Sequence, residues 1–242
     1  MKQVGRWYSD RIKQEIQMVR WGAFGTPVLL FPTAGGDAEE IERFLMIKVL
    51  KPLIEAGRIK VYSVDAVASR ALLSGDYSPR HCAWLMNQFD GFLYHEVVPA
   101  IRTDCKSAEI ELISAGASIG AFNALAVITR HPDVFKAAVC MSGSFDLDRL
   151  MRIEVTPDFY FSSPLHFLPN LGESKQLRLL RQRFILLAHG EGRYEDPEQN
   201  WRIARILGAK GVPNRVDNWG PDYDHDWMTW RAMLPKYLDQ LV

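Results

Sequence analysis

Apolar residues along this chain switch repeatedly between the spacing of a strand and that of a helix. From Val4 to Trp21 they partly alternate. Ile16, Met18 and Arg20 share one face of a strand and Gln17, Val19 and Trp21 the other, with Tyr8-Ser9-Asp10-Arg11 as a turn. This predicts an antiparallel hairpin at a sheet edge. After the break at Gly25-Thr26-Pro27, the unbroken apolar run Val28-Leu29-Leu30-Phe31 has the character of a buried strand. It empties into the Gly-rich loop Pro32-Thr33-Ala34-Gly35-Gly36-Asp37. A helix is expected from Glu39 and Glu40 to about Ala56, with Asp37 as cap and Gly57 as its stop.

Next come a strand over Ile59 to Val64 ending at Asp65, and a loop from Ala66 to Pro79. A long helix follows from Arg80 to Ile101, opened by Ser78-Pro79, in which Pro99 introduces a bend or a stop. Phe135 to Met141 and Phe184 to Ala188 read as buried strands, and Arg215 to Trp219 as a short one. Helices are expected from Pro197 to Leu207 and from Trp227 to Leu241, where Trp227 and Trp230 share a face directed at the sheet. Residues 148–183, with Pro157, Phe159, Tyr160, Phe161, Pro164, Phe167 and Pro169, read as an irregular cap segment whose aromatics offer either a pocket wall or packing. Strands alternating with helices predict an α/β class: a mostly parallel sheet, helices on both faces, one domain over 1–242.

The stretch from Ala108 to His131 carries the first chemistry. The apolar alternation Ile110-Glu111-Leu112-Ile113 leads into Gly116-Ala117-Ser118-Ile119-Gly120, and a small-residue helix leaves it. A bare Gly-x-Ser-x-Gly arises by chance in roughly one chain in ten to fifteen of this length, so the context decides. Strand, Gly-x-Ser-x-Gly and helix together define a nucleophile elbow, in which a strained turn lifts the serine hydroxyl clear of the sheet. The helix that follows aims its free N–H groups at the place where an oxyanion forms. The Ile119 amide is one expected donor; Ala34 and Gly35 in the loop after Phe31 are the candidates for the second.

A serine hydroxyl needs a base to take its proton and a carboxylate to orient that base. On this kind of scaffold the chain order is Ser, acid, His. Of six histidines, only His225 lies in a loop after the last strand and before the last helix. His131 serves a helix end, His81 and His95 precede the nucleophile, His166 falls in the cap and His189 comes too early. The acid belongs to the loop His189-Gly190-Glu191-Gly192-Arg193-Tyr194-Glu195-Asp196. Glu195 is the first candidate, because the glycines leave room for a turn before it. Asp196, which equally well caps the next helix, and Glu191 remain alternatives, and Asp146 is a displaced one. The acids Asp222, Asp224 and Asp226 around His225 lack the glycine and downstream glutamate of a calcium loop, so no metal site and no cofactor is expected.

Composition narrows the partners. Lys plus Arg and Asp plus Glu are 29 each, interspersed, with no basic excess for nucleic acid and no charge block for a membrane surface. Three cysteines, Cys82, Cys105 and Cys140, without paired spacing, fit a reducing compartment. No secretory h-region and no membrane-length apolar run is visible, so the expectation is a cytoplasmic protein; no oligomeric state is legible.

Together FPTAGG, GASIGAFNA, HPDVF, MSGSFD, HGEGRYE and DHDW make the chain from Val28 onward resemble the esterase branch of the α/β-hydrolases, the group of esterase D, feruloyl esterases and mycolyltransferases. The resemblance implies the α/β-hydrolase fold and a serine ester hydrolase working through an acyl-enzyme, carried by Ser118, His225 and an acid in the 190s, on a small-molecule ester. It departs from many members in lacking Gly-x-x-Asp, since Arg193 stands three after Gly190. An acyltransferase of the same mechanism, or a non-catalytic binding protein on this fold, are the alternative readings.

Overall fold

The architecture is seen in a computed structural model, which describes residues 1–151 and 155–242. Eight strands form one sheet in the order β1-β2-β4-β3-β5-β6-β7-β8. They are β1 Lys2–Ser9, β2 Gln14–Trp21, β3 Thr26–Phe31, β4 Ile59–Val64, β5 Leu112–Ala117, β6 Phe135–Met141, β7 Phe184–His189 and β8 Asn214–Asn218. β1 and β2 form the expected antiparallel edge hairpin, with Tyr8 opposite Glu15, and β2 joins β4 antiparallel. From β4 to β8 every pairing is parallel.

Helices cover both faces. They are α1 Glu40–Arg43, α2 Met46–Glu55, α3 Val67–Ser74, α4 Pro79–Phe92, α5 Val98–Asp104, α6 Ile119–Arg130, α7 Asp148–Met151, α8 Pro157–Ser162, α9 Pro164–Phe167, α10 Lys175–Leu180, α11 Pro197–Ala209 and α12 Trp227–Leu241. Strand side chains alternate between two cores as a pleated strand requires. Ile16, Leu29, Phe31, Cys140 and Leu187 meet Phe122, Leu125 and Ile203 on one face. Val19, Trp21, Val28, Leu30, Val139 and Leu186 meet Leu50, Leu234 and Tyr237 on the other.

Four helical expectations are corrected. The helix over Glu39 to Ala56 is two helices: Leu45 turns left-handed at φ 64° and separates α1 from α2. The expected loop from Ala66 to Pro79 contains α3, whose Val67, Ala68 and Ala71 are buried, and Gly75 closes it at φ 74°. The long helix is interrupted at Leu93–Val97, where the Val98 amide reaches back five residues to the Leu93 carbonyl. Pro99 is the cause, for it has no N–H to continue the four-residue ladder. The irregular segment 148–183 is mostly short helices, three of them starting on Thr156-Pro157, Ser163-Pro164 and a Ser174 cap; its residues 152–154 lie outside the described ones.

Candidate active site

The parallel strands deliver their C-terminal ends to one edge of the sheet, where ligands bind on doubly wound folds. The loops after β3, β5, β6, β7 and β8 meet there, and they carry the residues singled out in the sequence.

Ser118 stands between β5, buried throughout, and α6, with φ 56° and ψ −124°. Few non-glycine residues adopt this region, and the tight crossing enforces it. A Cβ on Gly116 would lie 2.2 Å from the Gly120 carbonyl oxygen, and one on Gly120 2.6 Å from that of Pro32. Both glycines are therefore required by the close approach of backbone to backbone. The Ser118 amide donates to the Met141 carbonyl at 3.0 Å and its carbonyl receives the Ser144 amide at 3.2 Å, so the turn is fixed from β6. The Ser118 hydroxyl lies 3.4 Å from Ser144 Oγ. Among the described residues no hydrogen bond joins it to His225 in this rotamer.

The loop after β3 is anchored by Glu40, which is 5% exposed. Its carboxylate receives the Thr33 amide at 2.6 Å and the Thr33 hydroxyl at 2.9 Å. The Gly36 amide closes a turn on the Thr33 carbonyl, and the Ala66 amide donates to Gly36. Within this turn the amides of Ala34 and Gly35 have no acceptor among the described residues. At the elbow, the Ile119 amide opens α6 and has no intrahelical acceptor. These are the free donors the sequence reading selected. Burial pushes the Glu40 carboxyl above the usual carboxylate range despite the two hydrogen bonds from Thr33.

The loops after β7 and β8 are laced together by their backbones. The Glu191 amide donates to Gly220, the Gly192 amide to Tyr223, and the His225 amide to Arg193, at 2.9, 3.0 and 3.0 Å. A Cβ on Gly190 would sit 1.9 Å from the Tyr223 carbonyl oxygen, so only glycine allows this approach. Arg193 forks onto Asp224, which draws the Asp224 carboxyl below its usual range, and Asp226 caps α12 by accepting the Thr229 amide. The acids flanking His225 thus have structural employment.

The same lacing brings Glu195 to His225, with Oε2 at 3.9 Å from Nδ1. The Glu195 side chain is 1% exposed, and Oε1 accepts the Ser142 hydroxyl at 2.5 Å. Its rivals are elsewhere. Glu191 is exposed and accepts from Asn218, and Asp196 is exposed and accepts from Gln199 at the start of α11. Asp146 pairs with Arg202. Among the other histidines, His131 is held by Asp90 and stacks on Tyr94, His166 faces Asp148, and His189 is fully buried.

Two residues of this neighbourhood have no site role in the sequence reading, which places Trp230 only on the sheet-facing side of the last helix. Ser142, at the end of β6, and Trp230, on α12, meet through a hydrogen bond from indole Nε1 to Oγ at 2.9 Å. Trp230 also sets its ring edge-on to His225, at 5.2 Å and 83°. Trp227 stacks on Phe44 instead of entering the core as deeply. Of the cap aromatics, Phe159 is core. Tyr160, Phe161 and Phe167 line a cavity of about 380 Å³ beside Arg130, at the far end of α6 from Ser118.

The family model described as "Putative esterase" matches residues 67–241, from α3 through α12. The chain belongs to the putative esterase family. It is an esterase of the α/β-hydrolase fold, and the match spans Ser118, Glu195 and His225, with the loop after β3 lying before it. Solved structures agree on the architecture. A ferulic acid esterase superposes with a TM-score of 0.76 at 16% identity, covering 100% of this chain and 99% of that one. An S-formylglutathione hydrolase from Agrobacterium tumefaciens gives 0.73 at 12%, covering 99% and 94%. A fluorophosphonate-binding serine hydrolase of Staphylococcus aureus gives 0.69 at 18%, covering 100% and 98%. No curated protein matches. No helix of the described residues is long and apolar enough to cross a membrane.

Proposed function

We propose that this esterase hydrolyses small carboxylic esters through an acyl-enzyme on Ser118, with His225 as base and Glu195 as the acid that orients it. The observation that carries the reading is the approach of a nearly sealed carboxylate to His225 on the loop that the chain order assigns to the base. In the reaction the Ser118 hydroxyl turns from Ser144 to His225. Its oxygen attacks the ester carbonyl carbon while its proton passes to the imidazole. The amides of Ile119 and of Ala34 or Gly35 hold the oxygen that becomes negative. His225 then gives its proton to the leaving alcohol. Water, deprotonated by His225, releases the acid and restores Ser118.

Hydrolysis is favoured over transfer to an alcohol only in that water is always present; added acceptor alcohols and product analysis separate the two. The three free thiols support work in a reducing compartment, the cytoplasm. A single 242-residue domain carries the activity, with no cofactor.

The test is labelling with a fluorophosphonate followed by peptide mapping, together with hydrolysis of p-nitrophenyl esters of increasing chain length. Label on Ser118 is expected, with turnover reduced about 10⁴-fold or more in Ser118→Ala. A folded protein that takes no label there contradicts the reading.

A further inference from the structure

Ser142 makes and breaks no bond in the sequence just described, yet its placement is costly. It is buried and its backbone lies at φ 47°, a region that favours glycine. Its amide is spent on the Ala188 carbonyl at 2.7 Å, which ties the end of β6 to β7. Its hydroxyl has two partners of opposite kind. Trp230 Nε1 donates to it, and an indole N–H can only donate. The single hydroxyl proton is therefore free to go to Glu195 Oε1, and the 2.5 Å separation places it there.

The consequence falls on the other oxygen of the carboxylate. Glu195 is sealed from water, and among the described residues the Ser142 hydroxyl is the donor recorded to its carboxylate. With Oε1 pinned, Oε2 is left buried without a hydrogen bond, turned toward His225 Nδ1. A glutamate has one more rotatable bond than an aspartate, and a buried carboxylate with an unfixed end could turn that oxygen away. Trp230 acts on both partners at once, since its N–H fixes the Ser142 hydroxyl while its ring abuts the imidazole.

We propose that Ser142 and Trp230 are positioning residues: Trp230 orients the Ser142 hydroxyl, which fixes Glu195 so that its free oxygen addresses His225. The proposal rests on the assignment of Glu195 as the acid. A strained serine is retained at the end of β6 because that backbone aims a hydroxyl at the acid loop, in keeping with strain stored at functional sites.

The test uses the full chain and p-nitrophenyl acetate, with Ser142→Ala, Ser142→Gly, Trp230→Phe and Glu195→Gln. Losing a hydrogen bond to a buried charged group is expected to lower kcat about 10- to 100-fold in Ser142→Ala, with KM changed less than about two-fold. Ser142→Gly should lose as much kcat while melting at a higher temperature than Ser142→Ala, because glycine relieves the positive φ. Trp230→Phe keeps an aromatic ring and loses the donor, and a smaller fall of the same kind is expected. If kcat follows melting temperature across the two Ser142 variants, the role is merely structural and the proposal is overturned. Wild-type kcat in both Ser142 variants beside an inactive Glu195→Gln overturns this proposal alone. Wild-type kcat in Glu195→Gln overturns it together with the acid assignment.

Discussion

Glu40 touches no reacting atom in the proposed chemistry, yet it holds both hydrogen-bond donors of Thr33 and so fixes the turn that exposes the Ala34 and Gly35 amides. Replacing it by alanine leaves a backbone amide and a hydroxyl without a partner, a loss of about 1–3 kcal/mol in stability. Esterase turnover should fall as well, since the turn that presents the amides loses its anchor. Glu40→Gln keeps one acceptor and removes the charge. Because burial raises the Glu40 carboxyl in the folded protein, the folded state holds its proton more tightly than the unfolded chain. That contribution is fully present below the unfolded value of about 4.3 and is lost as pH rises through the higher folded one. The stability of Glu40→Gln relative to wild type should therefore improve from pH 4 toward neutrality, as read by urea unfolding at several pH values. A flat trend would mean that folding leaves the carboxyl's proton affinity unchanged, and an inverted one that the fold stabilises its charged form.

At the scale of elements, the proposed acid is singled out by how two loops pack. The sequence puts Glu195 ahead of Glu191 and Asp196 without excluding them, and of the three only Glu195 is turned inward when the Gly190–Tyr223 approach closes the loops on each other. Glu195→Gln should cut kcat by about 10³-fold or more, the scale of a lost triad carboxylate, while Asp196→Asn and Glu191→Gln stay near wild type. Turnover abolished by Asp196→Asn instead would move the acid to the first turn of α11. What was legible follows from locality. The elbow, the hairpin, the strand Phe135–Met141 and the last helix each rest on residues close in sequence; the strand and the last helix keep their expected bounds, whereas the hairpin turns at residues 10–13, two residues later than the expected 8–11, and the elbow strand runs over Leu112–Ala117. The break at Leu45 has neither glycine nor proline to mark it. The slip at Leu93–Val97 is a change in hydrogen-bond ladder, which side-chain spacing does not record. α3 was within reach, since Val67, Ala68 and Ala71 lie on one helical face before Gly75. Ser142 was not, for its partners Glu195 and Trp230 stand 53 and 88 residues away.

At the scale of the whole molecule, two cores share one sheet, and the cysteines report on how tightly that arrangement is closed. Cys140 lies on β6, fully buried at the centre of the sheet, and burial pushes its thiol well above the ordinary range. Cys82 lies on α4, also buried, with its thiol raised for the same reason. A thiol reacts as its thiolate, so both should be inert toward a disulfide reagent until the fold opens. Cys105 is different. It is partly exposed at the end of α5, beside the Tyr62 hydroxyl at 3.3 Å. Titration of native protein with Ellman's reagent should therefore release about one equivalent at most, assigned by Cys105→Ser, and about three in denaturant. Because Cys82 packs on one side of the sheet and Cys140 belongs to the sheet itself, their reaction rates in mild denaturant distinguish two modes of opening. Equal rates that follow global unfolding indicate a sheet and helical layer that open together. Faster reaction at Cys82 would show α4 detaching while β6, and with it the Met141 carbonyl that fixes Ser118, stays in place. In that event, esterase activity should outlast the protection of Cys82 and disappear with that of Cys140.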